Sequence, residues 1–212
     1  MGFGAYENLR KDYNKFELLD SKIDKNPINQ FELWFSESLQ SEVEEPNAMA
    51  ISTVSNNIPS TRIVLLKGVS QNGFIFYTNY DSEKGLAIEN NPNVSLLFFW
   101  DKLHRQIRIN GTIQKISRSQ SVQYFDSRPY ESKIGALASN QSKVAASREE
   151  IENRFKDFKT RYPENPPCPE NWGGFIVEPT KIEFWQGRTG RLHDRIVYEK
   201  NNLEWSTKRL YP

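Results

Sequence analysis

The residues best suited to chemistry lie in a loop near the C-terminus, between the strand-like runs 181–185 and 195–199. The loop contains glycines and arginines, and Trp185 borders it. An arginine offers a planar fork of hydrogen-bond donors and stacks on aromatic rings, so Arg191 close to His193 suits an anionic, aromatic ligand. A solvated hairpin loop explains the same residues, and this stretch alone does not separate the two interpretations.

A second candidate is the apolar strand 62–67, which has a cation at each end, Arg62 and Lys67. At about 3.3 Å per residue the two charges lie roughly 16 Å apart, and their odd separation sends the side chains to opposite faces. One strand can therefore serve two anions. The alternative is a buried strand whose charged ends reach solvent.

A third group surrounds the start of a short predicted helix. Tyr77 and Thr78 end a strand, and Ser82 and Lys84 stand at the first turn of the helix. Exposed amides, a hydroxyl and a lysine at a helix N-terminus suit a phosphate. An ordinary N-cap explains Ser82 equally well.

Tyr124, Arg128 and Ser132 recur every four residues. On a continuous helix they would share a face and direct a phenol, a guanidinium and a hydroxyl at one anion. Because Pro129 interrupts such a helix, the sequence favours a corner between two helices. The pair Gln141 and Ser142 is a weaker candidate for the same chemistry.

The composition excludes several functional classes. The 212 residues include 28 basic and 27 acidic side chains, so bulk electrostatic binding of nucleic acid or membrane is not indicated. No apolar run reaches the roughly 20 residues of a membrane span, and the N-terminus lacks secretory features, so we expect a cytoplasmic protein. One cysteine and two histidines exclude a disulfide and favour no metal site. Since no nucleophile or nucleotide motif is present, the chemistry points to an organic cofactor.

The remaining pattern predicts the elements that position these residues. A polar N-terminal segment, residues 1–26, precedes a helix over 29–43. Predicted strands cover 48–54, 61–67, 74–78, 94–100, 105–116, 175–178, 181–185, 195–199 and 203–210, and further helices cover 82–89, 119–126, 131–138 and 147–162. Short strands separated by turns, with helices inserted between them, favour a mainly β protein (α+β): an antiparallel barrel with peripheral helices.

Taken together, ordered blocks of the chain resemble the pyridoxine/pyridoxamine 5'-phosphate oxidase family. The similarity runs from about Leu9 to Pro212, and its most specific block is Arg-Leu-His-Asp-Arg at 191–195. The other blocks are Arg-Ile-Val-Leu-Leu-Lys at 62–67, Phe-Tyr-Thr-Asn at 76–79, Glu-Asn-Asn-Pro at 89–92, Tyr-Phe-Asp-Ser-Arg-Pro at 124–129, Trp-Gly-Gly-Phe at 172–175 and Ile-Glu-Phe-Trp-Gln-Gly at 182–187.

The resemblance implies a split β-barrel homodimer with FMN bound in two sites at the subunit interface. Its reaction is the oxidation of pyridoxamine 5'-phosphate or pyridoxine 5'-phosphate to pyridoxal 5'-phosphate, with dioxygen giving hydrogen peroxide. Residues 1–26 would form a tail that closes over the site as a lid, and residues 27–212 a single FMN-binding domain.

Carried over by position, the resemblance also assigns individual residues. Catalysis would involve Arg191 and His193, which hold the pyridine ring and its hydroxyl against the flavin. FMN would be held by Arg62, Ile63, Val64, Leu65, Leu66, Lys67, Tyr77, Thr78, Lys84, Gln106, Gln141, Ser142, Trp185 and Arg195. Substrate would be bound by Arg10, Lys11, Asp12, Tyr13, Lys67, Tyr124, Arg128, Ser132, Arg191, Leu192 and His193, and no metal is implied.

One position departs from the family pattern. Related sequences often have an arginine before Lys84, whereas this chain has Glu83. An acid in place of a cation predicts weaker FMN binding unless another cation substitutes.

Two other functions fit part of the pattern: an FMN-dependent oxidase of another aromatic substrate, as in phenazine biosynthesis, and a flavin- or pyridoxal-phosphate-binding protein without turnover.

Overall fold

The computed structural model describes Leu9 and residues 12–212; Arg10 and Lys11, both assigned to substrate, lie outside the described residues. The helices are α1 (Pro27–Leu39), α2 (Glu83–Asn90), α3 (Arg118–Asp126), α4 (Tyr130–Ala138) and α5 (Arg148–Arg161). The strands are β1 (Ala48–Ser55), β2 (Ile58–Leu65), β3 (Gly68–Ser70), β4 (Gly73–Asn79), β5 (Asn93–Trp100), β6 (Arg105–Lys115), β7 (Trp172–Gln186), β8 (Asp194–Asn201) and β9 (Glu204–Arg209).

These nine strands of the described chain form one sheet in the order β2-β1-β5-β6-β7-β4-β3, with β8 pairing β7 and β9 pairing β8. The pairings β3 with β4, β4 with β7, β7 with β8 and β8 with β9 are antiparallel. The predicted mainly β class with helices between the strands is therefore confirmed.

One strand prediction is wrong in an instructive way. The runs 175–178 and 181–185 were expected as separate strands, but β7 is continuous through Pro179. Residues 172–177 pair with β4 and residues 181–186 pair with β8. Because Pro179 lies between these two ladders, its missing N–H breaks neither of them.

The first helix also differs from its prediction. It begins at Pro27 and ends at Leu39, whereas the apolar spacing predicted 29–43. Asn26 is the N-cap, and its side chain accepts a hydrogen bond from the N–H of Ile28 at 2.8 Å. Proline suits the first position of a helix because the N–H at that position has no helical partner. The helix therefore begins two residues earlier in the chain than predicted.

Contacts divide the chain into two units. The first contains the chain up to Met49, Leu96–Asn110 and Pro179–Pro212. Its core is aromatic: Phe31 packs edge-on against Phe98 at 5.2 Å, and Phe184 packs edge-on against both Trp34 at 5.1 Å and Tyr198 at 5.6 Å. Such ring pairs add stability beyond the area that they bury.

The second unit contains Ala50–Ser95 and Gly111–Glu178. Phe76 and Phe175 face each other across β4 and β7, with ring centroids 5.8 Å apart. Gly85 is required in α2, because a β-carbon there would lie 2.0 Å from the carbonyl oxygen of Tyr80. This close approach fixes the first turn of α2, which carries Lys84, against the end of β4.

In the part of the chain that the structure describes, no helix has both the length and the apolar character needed to cross a membrane.

Candidate functional site

The larger of two cavities that contain predicted site residues belongs to the second unit. Its volume of about 670 Å³ is within the range of roughly 300 to 1,000 Å³ that small-molecule sites occupy. We call it the cationic cavity because Lys67, Lys84 and Arg128 line it. The other lining residues are Ile63, Val64, Leu65, Tyr77, Thr78, Asn79, Tyr124, Pro129, Ser132, Gly135, Ala136, Ser139, Gln141 and Trp172.

Lys84 is a buried cation with neutral partners only. Its Nζ donates to Thr78 Oγ1 at 3.1 Å, Ser82 Oγ at 3.2 Å and Gln141 Oε1 at 3.1 Å. Lys84 as a whole is 8% exposed, and no carboxylate of the described residues forms an ion pair with its ammonium group. Burial lowers the pKa of Lys84, and the nearby Arg62 lowers it further. An anion in the cavity would relieve this unpaired charge.

Arg128 is the second cation without an anionic partner. Its guanidinium lies over the ring of Trp172, 4.7 Å from the centroid, and its Nη1 is buried without a hydrogen-bond partner among the described residues. Burial lowers the pKa of Arg128, and the phenol of Tyr124 partly offsets this effect. A buried donor without a partner costs free energy, and because Arg128 lines the cavity, an acceptor bound there would relieve that cost.

Aromatic rings hold this side of the cavity rigid. Tyr77 of β4 stacks on Tyr124 of α3 at 3.8 Å, and Trp172 stacks on Tyr77 at 5.5 Å. A β-carbon at Gly174 would lie 2.8 Å from the Tyr77 ring, so glycine is needed for this stack. Two rings of the stack, Tyr77 and Tyr124, line the cavity together with Arg128.

The helical corner brings the fourth predicted group, Tyr124, Arg128 and Ser132, together. α3 ends at Asp126, Pro129 is the N-cap of α4, and Ser132 follows in the first turn of that helix. The expected corner is therefore confirmed, and Tyr124, Arg128 and Ser132 still line one cavity. A proline at the helix start costs no hydrogen bond, so the turn is stable where a continuous helix would not be.

The prediction that one strand carries both cations is wrong, because β2 ends at Leu65 and Lys67 lies beyond it. Lys67, which follows β2, lines the cationic cavity, and so do Ile63, Val64 and Leu65. Arg62 instead donates to Thr53 Oγ1 at 2.8 Å and pairs with Glu83 at 3.5 Å. Leu66 is buried.

A second cavity, of about 580 Å³, belongs to the first unit and contains the loop near the C-terminus. Its lining residues are Leu9, Asp12, Tyr13, Arg188, Gly190, Arg191 and His193. Tyr13 contacts three rings: His104 at 4.4 Å, Trp185 at 5.9 Å and His193 at 5.8 Å. A β-carbon at Gly187 would lie 2.7 Å from the Tyr13 ring, so this glycine lets Tyr13 cover the loop.

His193 accepts a hydrogen bond at Nδ1 from the backbone N–H of Arg188, at 3.1 Å. Burial and the charge of Arg191 lower the pKa of His193, and the carboxylate of Asp194 opposes them. The imidazole is therefore neutral at pH 7, with its proton on Nε2.

We expect Arg191→Met to raise the pKa of His193, because the variant removes a neighbouring positive charge. Arg191→Lys keeps the charge and should leave that pKa close to the unsubstituted value. Proton NMR of the histidine rings measures both changes, and His104→Asn assigns the two histidine signals. A pKa of His193 that is the same in the Met and Lys variants would show that Arg191 does not act on it electrostatically.

Ion pairs fix the ends of the loop. Asp194 accepts from Arg188 Nη1 at 2.9 Å, from Arg209 Nη1 at 2.7 Å and from the N–H of Leu18 at 3.1 Å. Arg195 pairs with Glu183 through Nε at 2.9 Å and Nη2 at 3.1 Å. Arg191 lies between these anchors without an ion pair among the described residues, so its guanidinium is free to bind a ligand.

The structure separates the predicted residues into two groups and leaves some outside both cavities. Residues in neither lining are Arg62, Leu66, Gln106, Ser142, Trp185, Leu192 and Arg195. Leu192 is 74% exposed, and Trp185 contacts His193 at 4.7 Å.

Sequence reasoning missed Trp172 and His104 as site residues. The aromatic character of Trp172 beside two glycines was the only local signal, and His104 had none.

Comparison with known proteins gives two family matches. Residues 35–162 match the model described as pyridoxamine 5'-phosphate oxidase. Residues 172–212 match the model described as the C-terminal dimerisation region of pyridoxine 5'-phosphate oxidase. A curated relative, the pyridoxine/pyridoxamine 5'-phosphate oxidase of Actinobacillus pleuropneumoniae serotype 5b, is 50% identical over 205 residues, which are 97% of this chain and 98% of the relative.

Two solved structures are similar in fold. PhzG of Burkholderia lata, in complex with tetrahydrophenazine-1-carboxylic acid, has a TM-score of 0.88 at 26% identity and covers 92% of this chain and 98% of its own. A pyridoxamine 5'-phosphate oxidase-related, FMN-binding protein of Nostoc punctiforme has a TM-score of 0.70 at 17% identity and covers 86% and 97%. Together they confirm the predicted mainly β split-barrel fold with peripheral helices.

Proposed function

The chain belongs to the pyridoxine/pyridoxamine 5'-phosphate oxidase family, and on this basis we propose which residues carry out the reaction. The protein is an FMN-dependent oxidoreductase of vitamin B6 metabolism that forms pyridoxal 5'-phosphate. With the alcohol, substrate and dioxygen give pyridoxal 5'-phosphate and hydrogen peroxide; with the amine, water is also consumed and ammonia is released. The observation that carries the residue assignment is the cationic cavity, where Lys84 and the Nη1 atom of Arg128 are buried and no described residue pairs either cation with an acid.

The residues present fit FMN. Lys84, with Thr78 and Gln141 around its ammonium group, offers a charged and hydrogen-bonding site for the FMN phosphate. Apolar side chains of β2 and the ring of Tyr77 line the same cavity and suit the flat isoalloxazine ring. Bound FMN supplies the redox chemistry, in which a hydride equivalent leaves the substrate carbon and its electrons reduce dioxygen to hydrogen peroxide.

We assign the substrate phosphate to Lys67, Tyr124, Arg128 and Ser132. The unsatisfied Nη1 of Arg128 supports this assignment, because a phosphate oxygen would complete its hydrogen bonding. Arg191 and His193 are assigned to the pyridine ring and its hydroxyl. A neutral His193 with its proton on Nε2 donates one hydrogen bond at that atom, while its Nδ1 stays occupied by the N–H of Arg188.

The C-terminal match to a dimerisation region supports a homodimer. We propose in addition that FMN lies at the subunit interface, with residues of both copies around it, including Gln106, Trp185 and Arg195. Asp12 and Tyr13 belong to the segment proposed to cover the substrate. A single FMN-binding domain over 27–212 and a location in the cytoplasm remain predictions from the sequence.

We expect Lys84→Met to weaken FMN binding by at least about tenfold, because the variant removes a buried charge-assisted contact to phosphate. Turnover at saturating FMN should fall much less. Lys115→Met is the matched control, since Lys115 lies over the ring of Tyr80 at 4.4 Å and not in the cavity. Titration of the flavin-free protein with FMN measures the effect, and equal affinities of the two variants would refute the role of Lys84.

Oxygen uptake by the FMN-loaded protein tests the function. Pyridoxine 5'-phosphate and pyridoxamine 5'-phosphate, offered separately, should each consume oxygen with equal formation of pyridoxal 5'-phosphate and hydrogen peroxide. Bound flavin without uptake on either substrate would contradict the function and favour a binding protein. Uptake only with tetrahydrophenazine-1-carboxylic acid would favour the phenazine-type oxidase, which the fold of PhzG suggests as the second candidate.

A further inference from the structure

Glu83 lies beside the cations at the start of α2. Its Oε1 accepts a hydrogen bond from Ser60 Oγ at 3.1 Å and lies 3.5 Å from Arg62 Nη2. The Glu83 side chain is 69% exposed, whereas that of Arg62 is 20% exposed. The carboxylate therefore has room to turn away into solvent, while the guanidinium is held in place.

The hydrogen bonds of Arg62 show which of its donors is left next to Glu83. Nη1 donates to Thr53 Oγ1 at 2.8 Å and to the carbonyl oxygen of Ser60 at 2.9 Å. Nη2 donates to Ser60 Oγ at 2.7 Å. Since each terminal nitrogen of a guanidinium carries two hydrogens, one N–H of Nη2 remains, and Glu83 is the acid next to that nitrogen.

Glu83 also acts on the neighbouring lysine. Burial lowers the pKa of Lys84, Arg62 lowers it further, and the charge of Glu83 opposes both effects. Without a bound anion, Glu83 is thus the acidic group that offsets two cations, one of them buried. A phosphate bound to the same cations would take over this role and would be repelled by the carboxylate.

We propose that Glu83 competes with the phosphate of FMN for Arg62 and thereby sets the FMN affinity of this protein. The proposal rests on the FMN phosphate site at Lys84 in the proposed function, together with the assignment of the neighbouring Arg62 to FMN that the family resemblance implies. When the phosphate binds, the Glu83 carboxylate leaves Arg62 for solvent, and the freed N–H of Nη2 turns to a phosphate oxygen. Removal of the negative charge should tighten FMN binding and slightly destabilise the flavin-free protein.

Dissociation constants for FMN and riboflavin test this competition, because riboflavin lacks the phosphate. Both flavins are titrated into flavin-free protein and followed by flavin fluorescence. For Glu83→Gln and Glu83→Ala we expect FMN to bind roughly three- to tenfold more tightly than to the unsubstituted protein, with riboflavin affinity unchanged. Glu89→Gln is the matched control: it removes a charge from the same helix, about 9 Å further along its axis.

The outcomes separate the proposal from its premise. If the unsubstituted protein binds FMN no more tightly than riboflavin, the phosphate assignment fails and the proposal fails with it. If FMN is preferred but both Glu83 variants bind it as the unsubstituted protein does, only the competition is refuted. An equal gain for riboflavin, or an equal gain in Glu89→Gln, would also refute it. A lower melting temperature of flavin-free Glu83→Gln, together with a larger rise on adding FMN, is the further expected result.

Discussion

Arg191→Ala is expected to lower kcat/KM for pyridoxamine 5'-phosphate by about two to three orders of magnitude, the typical cost of removing a group that stabilises charge in a transition state. Arg191 lies in a loop whose ends are fixed by the ion pairs of Asp194 and Arg195. Its guanidinium has no ion pair among the described residues, so its charge and planar fork are available to the substrate.

The same variant should keep its flavin, because Arg191 is outside the cationic cavity. Steady-state kinetics in air and the absorbance of bound flavin measure the two quantities on one preparation. Arg191→Lys is the graded control, since lysine keeps the charge and loses the fork, and we expect an intermediate loss. Loss of flavin in proportion to activity would contradict the assignment of Arg191 to substrate.

Arg128→Met is expected to raise KM for the phosphorylated substrate by about 100-fold with a small change in kcat, because a phosphate held equally in the ground and transition states contributes uniform binding. The observation behind this magnitude is the buried Nη1, which no described residue satisfies. Methionine keeps most of the volume and can still pack on Trp172, which lies 4.7 Å from the guanidinium.

Stability provides the second measurement for Arg128→Met. Burial lowers the pKa of Arg128, which means that the folded protein disfavours its charge. Without substrate, the variant should therefore be at least as stable to heat as the unsubstituted protein. An unchanged KM, or a marked fall in melting temperature, would show that Arg128 has a structural role and does not bind phosphate.

Local sequence patterns were sufficient to predict much of the fold. The predicted strand 105–116 is an example: Ile107, Ile109 and Ile113 alternate with polar residues, which is typical of a strand with one buried face, and all three isoleucines of β6 are buried. Ser147 and Glu150 have the spacing of a capping box at the start of the predicted helix 147–162, and the Ser147 side chain accepts a hydrogen bond from the N–H of Glu150. The carboxylate of Glu150 accepts from the N–H of Ala146 and not from that of Ser147, so only half of the box forms.

The predictions from sequence were wrong or incomplete where a contact with a residue or strand distant in sequence decides the structure. β7 continues through Pro179 because its pairing strand changes there, and no pattern within the strand contains that information. The sequence likewise predicted two charges on one strand, but it did not show that Arg62 contacts Glu83, 21 positions further along the chain.

In the site, too, features set by local sequence were predictable and features set by distant contacts were not. The corner that gathers Tyr124, Arg128 and Ser132 was predictable, because Pro129 forces it. Trp172 was missed because it reaches Arg128 only through the pairing of β4 with β7 and the stack on Tyr77. His104 was missed because its contact with Tyr13 joins segments that are distant in sequence. Residue type thus indicated the chemistry, while tertiary contacts completed the two cavities.

The central claim is that the cationic cavity binds the phosphate of a B6 substrate for oxidation by FMN. The most direct test compares kcat/KM of the FMN-loaded protein for pyridoxamine 5'-phosphate and for pyridoxamine, with the aldehyde product measured for each: pyridoxal 5'-phosphate from the first and pyridoxal from the second. We predict a preference for the phosphorylated substrate of at least about 1,000-fold, as expected for several charge-assisted phosphate contacts, and a much smaller preference in Arg128→Met. Equal values for the two substrates, or an undiminished preference in Arg128→Met, would contradict the claim.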